Sequence, residues 1–454
     1  MTMQTERRSF YKSLLVITLP LLLQNLMNAA VSATDTIMLG YVGQNQLAAS
    51  SLAGNLNFLF SMFLSGIGSG SSVLIAQYWG RQDHRTIGQT VGIALRFTLA
   101  VGFLFSCAAV CFPEAVMRIY TTDTALIDYG TQYLRIVGAG YLLNSFTQVY
   151  IAAQRAMERT MFGTAVNLTA MILNVALNAC FIFGIGPFPA LGIVGVAIAT
   201  LISQTVSCVI ALVDAARSKH PARIRPRMLF AKNPTLLRDF MHYTLPALGN
   251  DFSWAIGFSV YTVILGRLGA DVVAANSYAG TVRSLSTVAC CAVASAAAIM
   301  LGKTLGENKL AEAQRQGWRF LVMSVITGLM AGVLVLVTRS FVVESVSLTP
   351  EATDYLSFML YVSAVNVVGM SINTMCICGI FRSGGDTRFG FIFDTCVMWL
   401  YGIALGALCA FVLKLPSMVV YFVMFMDEAV KIIPNFIRYS QKKWVRNITR
   451  DMAE

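Results

Sequence analysis

Apolar stretches of about 20–30 residues alternate with short polar loops along almost the whole chain. At about 1.5 Å per residue, each stretch is long enough as a helix to cross the roughly 30 Å hydrocarbon core of a bilayer. The pattern predicts twelve spans, at 13–37, 46–77, 89–112, 126–152, 163–184, 191–214, 239–264, 272–302, 316–338, 354–381, 387–412 and 416–437. An even number puts both termini on one side. The expected fold class is therefore an all-α polytopic membrane protein.

The spans are not twelve unrelated segments. Shifted by 226 residues, the sequence falls on itself: Thr18-Leu19-Pro20 on Thr244-Leu245-Pro246, Leu39-Gly40 on Leu265-Gly266, Gly43 on Gly269, and Gly80 on Gly306. After one insertion the shift becomes 227, and Arg155, Thr160, Phe162 and Gly163 fall on Arg382, Thr387, Phe389 and Gly390. Six spans per half give both halves one orientation, so they form parallel six-helix lobes related by a pseudo-two-fold along the membrane normal. The expected organisation is an N-lobe over 1–214, a basic cytoplasmic linker over 215–238 holding Pro221, Pro226 and Pro234, and a C-lobe with a basic tail over 239–454.

Charge fixes the orientation. With both termini cytoplasmic, the inner segments hold 26 of the 33 Lys and Arg residues, including six from Lys431 to Arg450. The outer segments hold Arg118, Arg267, Arg339 and Lys414, and Arg96, Arg135 and Arg283 fall inside spans. That asymmetry obeys the positive-inside rule and places the chain in the cell membrane. The net charge of +11 is thereby a loop property and calls for no nucleic-acid partner. Hydrophobic residues make up 56% of the chain and charged ones 12%, about half the usual charged share of a soluble domain.

Several motifs lead nowhere. Glu6-Arg7-Arg8-Ser9-Phe10-Tyr11-Lys12 resembles a twin-arginine export signal with a cleavage site at Val31-Ser32-Ala33. Cleavage there would discard half of a repeat, so the segment reads as a cytoplasmic flank. Gly302-Lys303-Thr304 lacks the upstream Gly of a phosphate loop, since position 297 is Ala. Gly66-x-Gly68-x-Gly70 lacks a strand before it and suits close helix approach instead. Ten Cys and three His show no zinc spacing, so no metal site and no cofactor are expected.

Polar residues inside spans carry the chemistry. Asp35 is the only charged residue between Lys12 and Arg81, about 33 Å along its span. A carboxylate there lines a bundle interior or water cavity, or else marks the helix end. Asn174 and Asn178 share one helix face, as partners for a carboxylate or a cation, or as interhelical bonds. Gln24, Asn25, Asn144 and Gln148 are candidate substrate-lining groups, and Asn167, Thr200 and Gln204 add polarity nearby. In the second half stand Asp251 and Asp394, with Trp254 and Phe258 at helical spacing from Asp251. Acid plus aromatic rings suits an organic cation; a packed Trp with a hydrogen-bonded Asp is the alternative. Arg96, Arg135 and Arg283 are available to pair with these acids.

These segments together resemble the multidrug and toxic compound extrusion (MATE) family. The resemblance rests on Asp35-Thr36-Ile37-Met38-Leu39-Gly40 with Leu47-Ala48-Ala49, and on the run from Gly66 through Gln77 to Gly80. It continues in Arg155-Ala156-Met157-Glu158-Arg159-Thr160, Asn174 and Asn178, and the stretch from Leu191 to Thr200. The second half adds Leu245-Pro246, Gly266-Arg267-Leu268-Gly269 and Arg382-Ser383-Gly384-Gly385-Asp386-Thr387. It implies two lobes around a cavity, acting as a monomer that exports cationic, amphipathic compounds against H⁺ or Na⁺. It implies a cation site in the N-lobe with Asp35 as its acid, Asn174 as partner and Thr200 completing it. Asn178 stands where some members carry a second Asp, so the site holds one formal negative charge. Another branch places a cation-binding Glu where Trp254 falls, one turn after Asp251.

Two rival readings remain. A lipid or lipid-linked-sugar flippase of the same superfamily would need a cationic cavity, which the in-span acids oppose. An enzyme or receptor would need a nucleophile–base or metal constellation, and the sequence offers none.

Overall fold

The structure, a computed structural model, describes residues 3–184, 189–217, 233–346 and 348–450. Pro221, Pro226 and the basic residues from Lys219 to Lys232 of the expected linker lie outside the described residues. So do the side chains of Arg7 and Arg8, although helix α1 runs unbroken over Met3–Val42.

The first half continues with α2 (Gln44–Gly80), α3 (His84–Cys111), a short α4 (Pro113–Tyr120), α5 (Thr124–Ala156), α6 (Thr160–Phe183) and α7 (Ile193–Arg217). The second half is built of α8 (Pro234–Gly266), α9 (Ala270–Gly306), α10 (Leu310–Ser345), α11 (Pro350–Thr374), α12 (Thr387–Cys396), α13 (Ser417–Phe425) and α14 (Asp427–Ser440). Helix α11 continues as a π-helical segment over Met375–Phe381, and α12 as π-helical segments over Val397–Leu405 and Leu408–Val412. No strand occurs among the described residues. Each of the twelve expected spans coincides with one helical rod, the last being α13 and α14 with a break at Met426.

Nine of these rods are apolar enough to cross a membrane on length and composition among the described residues. The other three are α5, α8 and the broken rod α13–α14. They carry the polar groups Asn144 and Gln148, Asp251, and Asp427, Glu428 and Lys431. Spans that sacrifice apolarity in this way hold their polar groups toward protein or water, not lipid.

The repeat extends to backbone conformation. The left-handed turn residues Gln82 (φ 62°) and Asn308 (φ 59°) stand 226 positions apart, and Glu158 (φ 66°) and Gly385 (φ 77°) stand 227 apart. Each turn follows a span whose partner in the other half ends in the same way. The chain thus repeats its connections even where the residue changes.

The chain forms two compact units that do not break at the linker. One comprises residues 19–248. The other comprises 249–451 together with 1–18. Helices α1 and α8 therefore change units part-way, close to Pro20 and Pro246, the internal prolines that the repeat superimposes. Proline removes one backbone donor and loosens the helix at that point. Within the second unit, Phe10 packs edge-on against Phe320. Within the first, Phe97 stacks on Phe240 at 5.8 Å. There, too, Gly66 and Gly70 leave room for the backbone of Leu248 and Thr244, since a Cβ on either would lie within 3 Å of their Cα atoms. This is the close helix approach expected of the glycine run.

A charged latch closes the same end of each unit, with its polarity inverted. In one, the loop residue Arg159 pairs with Asp214 of α7 at 3.2 Å, and the Tyr150 hydroxyl donates to Asp214 at 2.6 Å. In the other, the loop residue Asp386 pairs with Arg438 of α14 at 2.7 Å. Arg159 and Asp386 are equivalent under the 227-residue shift.

Candidate functional site

In the first unit, α1 and α6 bring Asp35 against Asn178, whose Nδ2 donates to Asp35 Oδ1 at 2.5 Å. The same Nδ2 donates to Asn174 Oδ1 at 3.1 Å, and Asn174 Nδ2 donates to Thr200 Oγ1 of α7 at 3.4 Å. The i, i+4 spacing of the two asparagines puts both on one face, so three helices contribute to one row. All four residues that sequence reasoning grouped are brought together. An apolar collar that includes Leu39, Ile182, Ile193 and Val196 lies beside them, with Tyr133 packed on it. Asn174 is buried, and Asn178 fully so. Asn178 Oδ1 is buried without a donor. A buried acceptor normally has a partner. The row therefore presents a carboxylate, an orphan amide oxygen and a hydroxyl, the oxygen set suited to a small cation or to a proton with water.

The other first-half candidates divide. Gln24 is consumed by the frame: its Nε2 donates to Thr164 Oγ1 at 2.9 Å and to the Thr160 carbonyl at 3.2 Å, and its Oε1 accepts from Arg155 at 3.1 Å. Its buried carboxamide holds the Pro20 region of α1 to α6 and has no polar atom left for a ligand. Gln148 is exposed and Asn144 half-exposed, on one face of α5. Asn25 is half-buried.

The second half departs from expectation. The partners of Asp251 and Asp394 are not the in-span arginines. Asp251 pairs with Arg382 at 3.3 Å, and Asp394 with Lys431 at 2.9 Å. Lys431, counted from sequence among the inner basic residues, is only 1% exposed at its side chain and also bonds Asp427 and Glu428 at 3.0 Å each. The basic tail downstream disguised it. The signal that would have found it is the Asp427-Glu428-x-x-Lys431 spacing inside an apolar span, which faces an acid toward a base at i, i+4.

The aromatic pair is likewise engaged. Trp254 and Phe258 lie with ring centroids 4.4 Å apart. Arg283 sits over Phe425 at 4.4 Å and over Phe258 at 5.8 Å, and donates to the Tyr421 hydroxyl at 3.3 Å. Of the two rings expected to receive an organic cation, Phe258 already has the protein's own guanidinium over it. Arg283→Met should therefore tighten binding of an aromatic cation such as ethidium by about 0.5–2 kcal/mol, the usual worth of a cation–π contact. Fluorescence titration of the purified protein reads this. Unchanged or weaker binding would mean that a ligand does not use these faces.

Two homologous halves of six helices, with polar groups buried at mid-bundle, define a membrane transporter. The MatE family model matches residues 20–180 and 246–408, two segments that begin at the prolines Pro20 and Pro246. The chain belongs to the MatE family, as its resemblance to multidrug and toxic compound extrusion transporters implies. It is 21% identical over 434 residues to the uncharacterized transporter YisQ of Bacillus subtilis (strain 168), covering 96% of this chain and 95% of YisQ. It is 25% identical over 408 residues to the probable multidrug resistance protein YoeA of the same organism, covering 88% and 86%. Its fold matches a solved MOP superfamily transporter from Pyrococcus furiosus Vc1 (DSM3638) with a TM-score of 0.85, at 18% identity and over 95% and 96% of the two chains.

Proposed function

We propose that this chain is a secondary active exporter of cationic, amphipathic organic compounds, driven by inward movement of H⁺ or Na⁺. The observation that carries the reading is the buried row Asp35–Asn178–Asn174–Thr200, with an acceptor oxygen left open beside a carboxylate. Drug enters from the cytoplasm or inner leaflet. The ion then reaches Asp35 from outside, neutralises it, and favours the packing from which drug leaves. The ion drives the cycle because it binds the two packings with different affinity. The basic loops support insertion in the cell membrane with both termini cytoplasmic. The names of relatives such as YoeA support multidrug export.

The test is ethidium uptake into everted vesicles, the direction of export from the cytoplasm, with pH and Na⁺ gradients imposed separately. One gradient alone should suffice to drive export. The flippase reading has one support of its own: Asp251, one of the in-span acids that opposed it, is matched by Arg382. Failure of both gradients to move any cationic dye, with movement of an anionic lipid, would establish that alternative instead.

A further inference from the structure

The second half contains a group of ionisable side chains that the exporter reading does not use. Lys431 Nζ has three N–H donors and meets three carboxylates: Asp394 Oδ1 at 2.9 Å, Asp427 Oδ2 at 3.0 Å and Glu428 Oε1 at 3.0 Å. The ammonium is thus saturated. One positive charge faces three groups that can each be negative, within a span. Two uncompensated negative charges in such a setting are not sustainable, because carboxylates crowded around one site cannot all ionise. The group must hold protons or take up a cation.

Geometry distinguishes these. The point on which the three carboxylates converge is occupied by a tethered ammonium, so a metal ion would have to displace Lys431. A proton needs only one free oxygen. Among the described residues, no three His, Cys, Asp or Glu side chains are arranged to hold a metal. Glu428 is engaged at both oxygens, since its Oε2 accepts from Asn373 Nδ2 at 2.8 Å. Asp394 and Asp427 each receive one N–H from Lys431, which leaves an oxygen on each to carry a proton. Side-chain accessibility is 12% at Asp394 and at Glu428, 5% at Asp427 and 1% at Lys431, so the group is reached past Asp394 and Glu428.

An independent observation points to an occupant. Asn435 Nδ2 donates to Asn373 Oδ1 at 2.9 Å, and Asn373 Nδ2 donates to Glu428, so both amide orientations are fixed. Asn435 Oδ1 is then a fully buried acceptor with no donor. A water or hydronium at the edge of the group would satisfy it. The π-helical segments also begin here, at Met375 just after Asn373 and at Val397 just after Asp394. Such segments cluster at functional sites.

We propose that Asp394, Asp427 and Glu428, gathered on Lys431, form a second ion site that exchanges H⁺ and excludes metal cations. The other groups that bear on it are Tyr261 and Asp251 of α8, Cys378 of the π-helical segment, and Arg382. Arg382 is already paired with Asp251. The link to transport rests on the exporter reading; the protonation itself does not.

The experiment is infrared difference spectroscopy of the purified full-length protein between acid and alkaline pH. Wild type should show a carboxylic-acid C=O band that titrates. Asp427→Asn and Asp394→Asn should each remove part of it, Asp35→Asn should leave that part in place, and saturating Na⁺ should not displace it. Should both asparagine variants fail to fold, Asp35→Asn protein labelled with ¹³C at its aspartate carboxyls should still show an isotope-shifted carboxylic-acid band at a pH where exposed aspartates are ionised. Equal bands in wild type and both variants, a missing aspartate band in the labelled protein, or loss of the band on adding Na⁺ would each overturn the proposal. Absence of dye export with the band intact would instead count against the exporter reading alone.

Discussion

Asp35→Asn should reduce ion-driven ethidium export to the level of empty vesicles while leaving the protein folded. The substitution is nearly isosteric. The new carboxamide can turn its oxygen toward Asn178 Nδ2 and keep the 2.5 Å contact as an ordinary hydrogen bond. What it removes is the charge. A hydrogen bond to a charged group is worth roughly 1.5–3 kcal/mol against about 1 for a neutral one, so the frame loses little. Coupling loses everything, because an amide at this place resembles the neutralised carboxyl whether or not an ion is present. Nothing then distinguishes the two packings by ion occupancy, and the gradient has no purchase. Dye binding to the purified variant should persist, since the row is argued to hold the ion and not the drug. Removing the orphan acceptor with Asn178→Ala should leave export active but weaken the ion, seen as a rightward shift in the ion dependence. Full export by Asp35→Asn at unchanged gradients would sink the assignment.

The frame was legible because repetition and charge are statistical over many residues. The twelve rods and the duplicated prolines follow from apolar length and the repeat, while rod ends such as Met3 and Ser345 lie several residues beyond the apolar runs. Asp35, Asn174 and Asn178 stood out locally, as a lone acid in one span and two amides one turn apart in another; that they share one site with Thr200 was implied by the family resemblance. The second half resisted. Asp251 and Asp394 were offered the wrong partners, the in-span arginines, because Arg382 and Lys431 read as inner-loop bases. Lys431, seven residues before Arg438, reads as one more positive-inside lysine unless the acids at Asp427 and Glu428 are weighed with it. Nor does spacing reveal that Arg283 would lie over Phe258 and Phe425. Both errors have one cause: the second half supplies its own cations, and pairing across helices is a tertiary fact.

The sharpest consequence concerns Asp251. If it is the counter-charge of Arg382, then Arg382→Met should destabilise the protein by about 3–5 kcal/mol, the cost of leaving one member of a buried pair alone. The pair is well enclosed, with 10% of the arginine side chain and 19% of the aspartate accessible. The first half shows what a milder change does. There the equivalent guanidinium, Arg155, is held by the neutral Gln24 at 3.1 Å. An amide is thus an acceptable partner at this place, and Asp251→Asn should cost only about 1 kcal/mol, near the worth of a neutral hydrogen bond. Combining Asp251→Asn with Arg382→Met should be less damaging than Arg382→Met alone, since the stranded carboxylate is removed. Thermal unfolding in detergent, run beside dye titration, separates the roles. A structural pair moves unfolding and leaves dye affinity where it was. A drug counter-charge does the reverse: Asp251→Asn would weaken ethidium binding with unfolding unchanged, and Asp251 would return to the binding site that its place beside Trp254 first suggested.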